Sequence, residues 1–393
     1  MVIEPRIRGF LCLTSHPEGC AANVRAQAEL AKAGPGTGLK NVLVIGSSTG
    51  FGLSSLLTSM FGYGADVLGI CFEKPPADNK PASPGYYNLA EAHVMAKEAG
   101  RRLETINADA FSHEVKAQAI AALKERYGKI DMVVYSLASP KRKDPNSDTL
   151  WSSVLKPVDK LHVSKTVDLR HEVVEEITIP PASEQEVFET ERVMGGDDWK
   201  MWIEALRDAD LLAEGCRSVA YSYIGPQVTY PIYRSGTIGG AKEHLEATAK
   251  DLSALMAEHC KGEAWVSVNK ALVTQASSAI PVVPLYISIL YKVMKAAGNH
   301  EETMEQIVRL FRDHIGPGQT PTLDDKGRIR VDDWEMLPEI QAQIEELWPQ
   351  ASTENLEDLC EFSAFRTGFR RLFGFEVPGV DYSKPTEVMR ELV

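Results

Sequence analysis

Residues 41–52 read NVLVIGSSTGFG, and this stretch decides the fold. After Asn41, residues 42–45 are an uninterrupted apolar run, which is typical of a parallel β-strand covered on both faces. Glycines follow at Gly46, Gly50 and Gly52. They permit a tight turn and let backbone N–H groups approach a pyrophosphate at the start of the next helix. The stretch therefore predicts a strand, a phosphate-binding turn and a helix, although a plain β–α turn is the alternative.

Apolar runs and helical segments keep alternating after this turn. The predicted strands are 41–45, 65–72, 102–106, 130–137, 218–224 and 264–268, and the predicted helices between the first four strands are 53–61, 88–99 and 114–127. Strands that alternate with helices in this way are typical of a doubly wound α/β fold with a parallel sheet.

Residues at the ends of the predicted strands extend a dinucleotide site. Glu73 ends the second strand about twenty residues after the turn. A carboxylate there accepts hydrogen bonds from the adenosine ribose and repels a 2′-phosphate, which favours NADH over NADPH. A solvated charge is the alternative, and the neighbouring Lys74 is a cation that tolerates a phosphate. Further candidates are Asp109 and Ala110, beside the adenine, and Leu137 and Ala138, at the switch point of the sheet.

We expect one Rossmann-type domain over 1–393, with additions around it. Residues 1–38 form an N-terminal lead-in, 140–190 an inserted flap at the carboxyl edge of the sheet, and 300–393 a helical extension. Residues 271–291 carry no charge. Their prolines and hydroxyl side chains make them too polar and too broken for a membrane span, so we expect a buried helix.

Composition limits the classes of function. Lys and Arg number 42 against 55 Asp and Glu, a net charge of −13. This argues against a nucleic-acid partner, and an acidic carrier protein would need a local basic patch. The N-terminal MVIEPRIRGF lacks a signal-peptide pattern. The six scattered cysteines show neither a disulfide framework nor metal-ligand spacing, so we expect a cytoplasmic protein without a metal.

Tyr233 and Lys242 are the candidate catalytic pair. They lie nine positions apart. At about 3.6 residues per turn, nine positions place them on opposite sides of one regular helix. If both serve one site, the helix must begin after Tyr233, near 235–237. An ordinary half-buried tyrosine is the alternative interpretation of Tyr233.

The chain resembles the FabV-type enoyl-acyl-carrier-protein reductases, a family that includes the trans-2-enoyl-CoA reductases. The resemblance covers nearly the whole chain. Its motifs are GSSTGFG at 46–52, FEKP at 72–75, DAF at 109–111, YSLASP at 135–140, MGGDDW at 194–199, YSYIG at 221–225, Tyr-x8-Lys at 233–242 and LVTQASSAIP at 272–281.

The resemblance implies a short-chain-reductase-like fold and an NADH-dependent enoyl reductase. Such an enzyme reduces the double bond of enoyl thioesters on acyl carrier protein or coenzyme A, the last step of fatty acid elongation. Tyr233 would donate the proton, Lys242 would act with it and bind the cofactor, and Tyr223 would contact the thioester carbonyl. The cofactor would also contact Gly46, Ser47, Ser48, Thr49, Gly50, Phe51, Gly52, Phe72, Glu73, Asp109, Ala110, Leu137, Ala138, Leu272, Val273 and Thr274. We expect a monomer in which the uncharged segment lines an acyl tunnel.

Two rival functions stay open at this point. A carbonyl-reducing short-chain dehydrogenase shares the fold, but it requires Tyr and Lys four positions apart, and no lysine follows Tyr233 at that distance. A nucleotide-binding regulator without chemistry would give no reason for the uncharged segment. An enoyl reductase oxidises NADH when an enoyl thioester is added, whereas neither rival does.

Overall fold

A parallel sheet forms the centre of the computed structural model, which describes residues 1–9, 11–78 and 80–392. The strands of these residues are, in chain order, β1 (Ile7–Arg8), β2 (Leu11–Cys12), β3 (Asn41–Ile45), β4 (Asp66–Cys71), β5 (Leu103–Asn107), β6 (Ile130–Tyr135), β7 (Lys141–Lys143), β8 (Leu150–Ser152), β9 (His162–Asp168), β10 (Val173–Ile179), β11 (Leu212–Ser222), β12 (Glu263–Val268) and β13 (Ile329–Arg330). The central sheet has the order β5-β4-β3-β6-β11-β12-β13, and all its neighbouring strands are parallel.

This strand order confirms the predicted doubly wound Rossmann sheet. The chain builds outward from β3 in one direction and from β6 in the other, so the switch point lies between these two strands. Strand β13 was not predicted. It is only two residues long and pairs with the end of β12. A strand of that length gives too short an apolar run to be seen in the sequence.

Helices cover both faces of the sheet. They are α1 (Pro17–Ala33), α2 (Gly50–Leu57), α3 (Pro84–Glu98), α4 (His113–Ala122), α5 (Glu184–Met194), α6 (Asp197–Asp208), α7 (Thr237–Cys260), α8 (Gln275–Ser278), α9 (Val283–Ala297), α10 (Thr303–Leu310), α11 (Pro338–Leu347), α12 (Leu356–Leu359) and α13 (Phe362–Arg371). Val42 and Val44 of β3 pack with α1, α2, α3 and α10. Leu43 and Ile45 pack on the opposite face with α4, α6 and α7. Alternate residues of one strand thus enter two different cores, which explains its continuous apolar run.

The region predicted as a flap contains two antiparallel hairpins, β7–β8 and β9–β10. It is tied to the start of α7, because the Thr237 backbone N–H donates to the Lys156 carbonyl at 3.0 Å. Helix α5 follows the hairpins and was not predicted. Ser183 and Glu186 form a capping box at its start, a pattern the sequence does contain.

The helical second half of the uncharged segment, residues 282–291, is buried, as expected. The whole segment forms α8 and most of α9, and α9 packs in a third core together with α11 and α13 of the C-terminal region. Ile287, Leu290 and Tyr291 are at most 1% exposed. Among the described residues, no helix combines the length and the apolar character that crossing a membrane requires.

Candidate functional site

The phosphate-binding turn connects β3 with α2 and is tightly packed. Gly46 has φ +88°, a left-handed conformation that favours glycine. The backbone N–H groups of Gly46 and Ser47 donate to the Ile70 carbonyl at 2.9 and 3.0 Å, which holds the turn on β4. A Cβ on Gly52 would overlap the Gly46 carbonyl oxygen. Glycine at 46 and 52 is therefore what lets the helix start directly against the strand end.

The start of α2 lacks a side-chain cap. Its cap residue is Thr49, which is in an extended conformation and makes no capping hydrogen bond. The first turn of a helix has N–H groups without intrahelical partners, and they carry the positive end of the helix dipole. This turn is thus equipped to hold an anionic pyrophosphate.

Glu73 lies against the same turn. Its carboxylate accepts hydrogen bonds from Ser48 Oγ at 2.6 Å and from Ser83 Oγ. Its backbone is fixed by Asn107, whose side chain accepts from the Glu73 N–H at 2.7 Å and donates to the Glu73 carbonyl at 2.9 Å. A Cβ on Gly85, in the first turn of α3, would overlap Glu73 Oε1. The carboxylate is therefore held in one position at the end of β4, where an adenosine ribose is expected.

The other predicted cofactor residues lie along the same edge of the sheet. Phe72, 80% exposed, follows β4, while Asp109 and Ala110 follow β5. Asp109 Oδ1 accepts from the Phe111 N–H at 3.0 Å. Leu137 is half-buried and Ala138 exposed, both just beyond β6. Ligands of doubly wound sheets bind at this carboxyl edge, so these positions agree with the predicted dinucleotide site.

Tyr223 and Tyr233 pack against each other at the end of β11. Their rings meet edge to face, with centroids 4.8 Å apart. Tyr223 is the first residue after the strand, and Tyr233 lies in turns that precede α7. Burial raises the pKa of both tyrosines, so both hydroxyls keep their protons at neutral pH.

Helix α7 begins at Thr237, as the spacing of Tyr233 and Lys242 predicted. Lys242 lies in the second turn of this helix, and its Nζ donates to the Tyr221 carbonyl at 3.1 Å, close to the end of β11. Partial loss of water around the amine lowers the pKa of Lys242 to about 8, although Glu246 opposes this shift. The tyrosines and the lysine therefore approach one strand end from different elements.

Thr274, at the end of the segment Leu272–Thr274, lies next to Gly50 of the phosphate-binding turn. Leu272 and Val273 are buried in the third core, and Thr274 caps α8 by accepting from the Ser277 N–H at 3.0 Å. The Thr274 methyl carbon lies 3.7 Å from the position that a Cβ on Gly50 would take. A cofactor on the turn would therefore lie beside Thr274.

Sequence reasoning missed Glu335. This carboxylate comes from the C-terminal region, is fully buried, and accepts a hydrogen bond from the Tyr223 hydroxyl at 3.1 Å. Nothing in the local sequence marks it, because its neighbours resemble any acidic loop. Asp198, in the first turn of α6, is also buried and accepts hydrogen bonds from Lys116 Nζ at 2.7 Å and from the Tyr135 hydroxyl.

Comparisons with known proteins agree with this geometry. A family model described as the trans-2-enoyl-CoA reductase catalytic region matches residues 80–315, and one described as the NAD(P)H binding domain of that enzyme matches 2–78. An enoyl-[acyl-carrier-protein] reductase [NADH] of Flavobacterium johnsoniae is 52% identical over 387 residues, 98% of each chain. The chain belongs to the trans-2-enoyl-CoA reductase family. This confirms the resemblance to FabV-type enoyl reductases.

Both thioester classes occur among the names of these family members. A trans-2-enoyl-CoA reductase [NADH] of Clostridium perfringens is 50% identical over 389 residues, 99% of each chain. Two crystal structures of trans-2-enoyl-CoA reductases also match. The Clostridium acetobutulicum enzyme in complex with NADH has a TM-score of 0.96 at 38% identity, covering 99% of this chain and 98% of that one. The Treponema denticola enzyme in complex with NAD has a TM-score of 0.94 at 44% identity and full coverage of both.

A third family model, described as the enoyl reductase FAD binding domain, matches residues 323–386. This part of the chain does not fit a flavin dinucleotide. Its strand, β13, is followed by Val331 and Asp332 instead of a glycine-rich turn. The charged side chains there pair with one another, as Arg330 does with Asp332 at 2.7 Å.

Proposed function

We propose that this protein reduces the carbon–carbon double bond of trans-2-enoyl thioesters with NADH. One observation supports this reading above the others. The Tyr223–Tyr233 pair and Lys242 lie at the end of β11, on the same edge of the sheet as the phosphate-binding turn. The names and bound cofactors of the relatives agree with it.

The residues at the sheet edge fit NADH. The uncapped start of α2 would hold the pyrophosphate, and Glu73 would accept from the adenosine ribose hydroxyls. When bound, NADH supplies a hydride to Cβ of the enoyl group. Lys242, whose amine is already at the end of β11, would bind the nicotinamide ribose. The segment Leu272–Thr274 would close over the cofactor.

The two tyrosines would manage the charge that develops on the thioester oxygen. Hydride addition at Cβ moves negative charge onto that oxygen, and hydroxyls aimed at it stabilise the enolate. Tyr223 would donate a hydrogen bond to this oxygen, and Tyr233 would supply the proton. Neither ionises readily, because burial raises the pKa of both.

An apolar cluster beside Tyr233 suits the acyl chain. Ile232, the residue before Tyr233, packs with Ile179 of the flap and with Val282, and the partly exposed Ile280 borders them. We call these four residues the flap cluster. Contact between apolar protein surface and a hydrocarbon chain stabilises binding of the chain by about 25 cal/mol per Å² of apolar surface buried.

The carrier, the oligomeric state and the location belong to the same proposal. We propose that the enzyme accepts thioesters of both acyl carrier protein and coenzyme A, and that it acts as a monomer in the cytoplasm. Analytical ultracentrifugation of the purified protein tests the monomer, and a mass near 87 kDa, twice the 43.3 kDa of the chain, would contradict it.

The decisive assay is NADH oxidation with crotonyl-CoA, dodecenoyl-CoA and the matching carrier-protein thioesters. We expect turnover that consumes one NADH per saturated thioester formed, measured by absorbance and by mass spectrometry. A ketone substrate and NADPH serve as controls. Turnover of the ketone without turnover of the thioesters would favour a carbonyl reductase, and NADH binding without any turnover would favour a regulator.

A further inference from the structure

Glu335 connects the C-terminal region with the substrate-side tyrosine. Its Oε1 lies 3.1 Å from the Tyr223 hydroxyl and 2.7 Å from the Tyr286 hydroxyl, and its Oε2 accepts from the Ala271 backbone N–H at 2.7 Å. Glu335 and Tyr286 are fully buried. The carboxyl group is therefore surrounded by donors, with two tyrosines sharing one oxygen.

A count of protons shows why this contact matters. A phenol has a single proton to donate. When Glu335 is a carboxylate, it can only accept hydrogen bonds. The Tyr223 hydroxyl then uses its single proton to donate a hydrogen bond to Glu335. Tyr223 then presents only lone pairs to a thioester oxygen, which is the wrong polarity for stabilising an enolate.

A neutral Glu335 reverses this arrangement. Its own O–H donates to the Tyr223 oxygen, and the Tyr223 proton is free to point at the thioester. We propose that Glu335 is a positioning residue that, in its neutral form, turns the Tyr223 hydroxyl toward the substrate carbonyl. The proposal rests on the proposed enoyl-thioester reduction. No bond forms or breaks at Glu335, and its proton stays on it through the reaction.

The charges around Glu335 are compatible with a proton at neutral pH. Burial raises the pKa of Glu335 to about 7, and the Asp332 carboxylate acts in the same direction. The hydrogen bonds from Tyr286 and Ala271 and the charge of Lys270 lower it, but by less than burial raises it. Burial also lowers the pKa of Lys270 to about 8, so its charge weakens in the same pH range.

Glu335→Gln is the informative variant. The Ala271 N–H requires an oxygen opposite it, so the amide oxygen takes that place and the amide nitrogen faces the tyrosine hydroxyls. The amide then donates to Tyr223 at every pH, as the neutral acid does. For the wild type at saturating NADH, kcat/KM for crotonyl-CoA should fall roughly 20-fold between pH of about 6.5 and 8.5, as an acid with a pKa near 7 loses its proton. For the Glu335→Gln enzyme, kcat/KM should stay nearly constant over this pH range.

Asp332→Asn is the matched control. It removes a buried carboxylate three positions away that pairs with Arg330 and does not touch Tyr223. The fall should persist in this variant, with at most a small shift to lower pH. A Glu335→Gln enzyme that keeps the wild-type fall, or that binds NADH normally but is inactive at every pH, would overturn the proposal.

Tyr223→Phe tests the same idea without altering the acid. With no hydroxyl to orient, the fall near pH 7 should disappear, and adding Glu335→Gln should change kcat/KM no further. A fall that persists in Tyr223→Phe overturns the proposal even if Glu335→Gln does not fold. Failure of the wild type to reduce crotonyl-CoA at any pH would instead overturn the proposed function.

Discussion

At the scale of single residues, Tyr233 combines a buried ring with a hydroxyl that has no hydrogen-bond partner among the described residues. Tyr233 is 8% exposed, and burial alone accounts for the rise in its pKa. The aromatic contact with Tyr223 fixes the ring, while the free hydroxyl keeps its proton for a ligand. This separation of ring packing and proton makes the phenylalanine variant a clean test.

Tyr233→Phe should lower kcat for crotonyl-CoA by about 10²–10⁴-fold, the usual contribution of a general acid. NADH affinity should stay nearly constant, because the ring and its packing remain. Stopped-flow turnover and fluorescence titration of NADH measure the two effects. Tyr223→Phe is the matched variant and should lose less activity. A fully active Tyr233→Phe enzyme would move the assignment to Tyr223.

Lys242→Met should weaken NADH binding as well as turnover, because in the proposed site this cation would bind the nicotinamide ribose. The pKa of Lys242 lies at about 8, so its positive charge is present below that pH and lost above it. Wild-type NADH affinity should therefore decrease as the pH rises through 8, and the Met variant should show no such decrease. Isothermal titration of NADH at several pH values checks this. Parallel pH curves for the two proteins would contradict it.

Glu73→Ser should narrow the preference for NADH over NADPH. The carboxylate is held by Ser48 and Ser83 at the end of β4, where in the proposed site its charge would repel a 2′-phosphate. Removing one charge a few ångströms away is worth about a kcal/mol or more, so the ratio of kcat/KM values should change by roughly tenfold. Glu73→Gln keeps the size of the side chain and removes only its charge, so it separates the effect of charge from that of shape. Efficient use of NADPH by the wild type would show that Lys74 dominates.

At the scale of elements, the uncharged segment divides into two environments that the sequence treats alike. Ile287 of α9 is fully buried in the third core, whereas Ile280 is partly exposed in the flap cluster beside Ile232. Periodicity predicts that both are covered, but not by what. Whether a residue of this segment is covered by protein or is left open to a ligand depends on how the flap and the loop before α7 fold against it.

Ile280→Phe should therefore raise KM for dodecenoyl-CoA more than for crotonyl-CoA, since the added ring takes space from the far end of a long chain. Ile287→Phe is the control, because overpacking a core costs typically about 1–3 kcal/mol of stability without regard to chain length. Steady-state kinetics with thioesters of increasing length compare the two. Equal losses at all lengths for Ile280→Phe would assign this residue to the core.

The sequence predicted those elements whose own residues carry the signal. Apolar runs located β3, β4 and β6 within one or two residues, because each is buried on both faces. The spacing of Tyr233 and Lys242 located the start of α7, because nine positions on one regular helix would place the two side chains on opposite sides. Strand β13 and Glu335 could not be predicted because both depend on tertiary contacts. Strand β13 forms by pairing with β12, and Glu335 differs from other acidic residues only by its buried contact with Tyr223.

At the scale of the whole molecule, the ends of the chain fasten the Rossmann core. The Met1 amine donates to the Thr386 carbonyl at 2.8 Å, and the Thr386 N–H donates back to the Met1 carbonyl. Tyr87 of α3 donates to the Val388 carbonyl at 2.9 Å. The C-terminal region also completes the sheet through β13 and delivers Glu335 to the tyrosines. These connections predict that the regions matched by separate family models fold as one unit.

Calorimetry of the full chain tests this unity. We expect one unfolding transition whose calorimetric and van't Hoff enthalpies agree, because the third core joins α9 with α11 and α13 and leaves no boundary with few contacts. NADH at about 100 times its Kd should stabilise the protein by about 2.7 kcal/mol and move the whole transition upward. Glu73→Ser, which alters the cofactor site alone, should reduce that shift without splitting the transition. A second transition that NADH leaves in place would show that residues 323–386 unfold independently, and Tyr223 would then keep its ring contact with Tyr233 while losing Glu335.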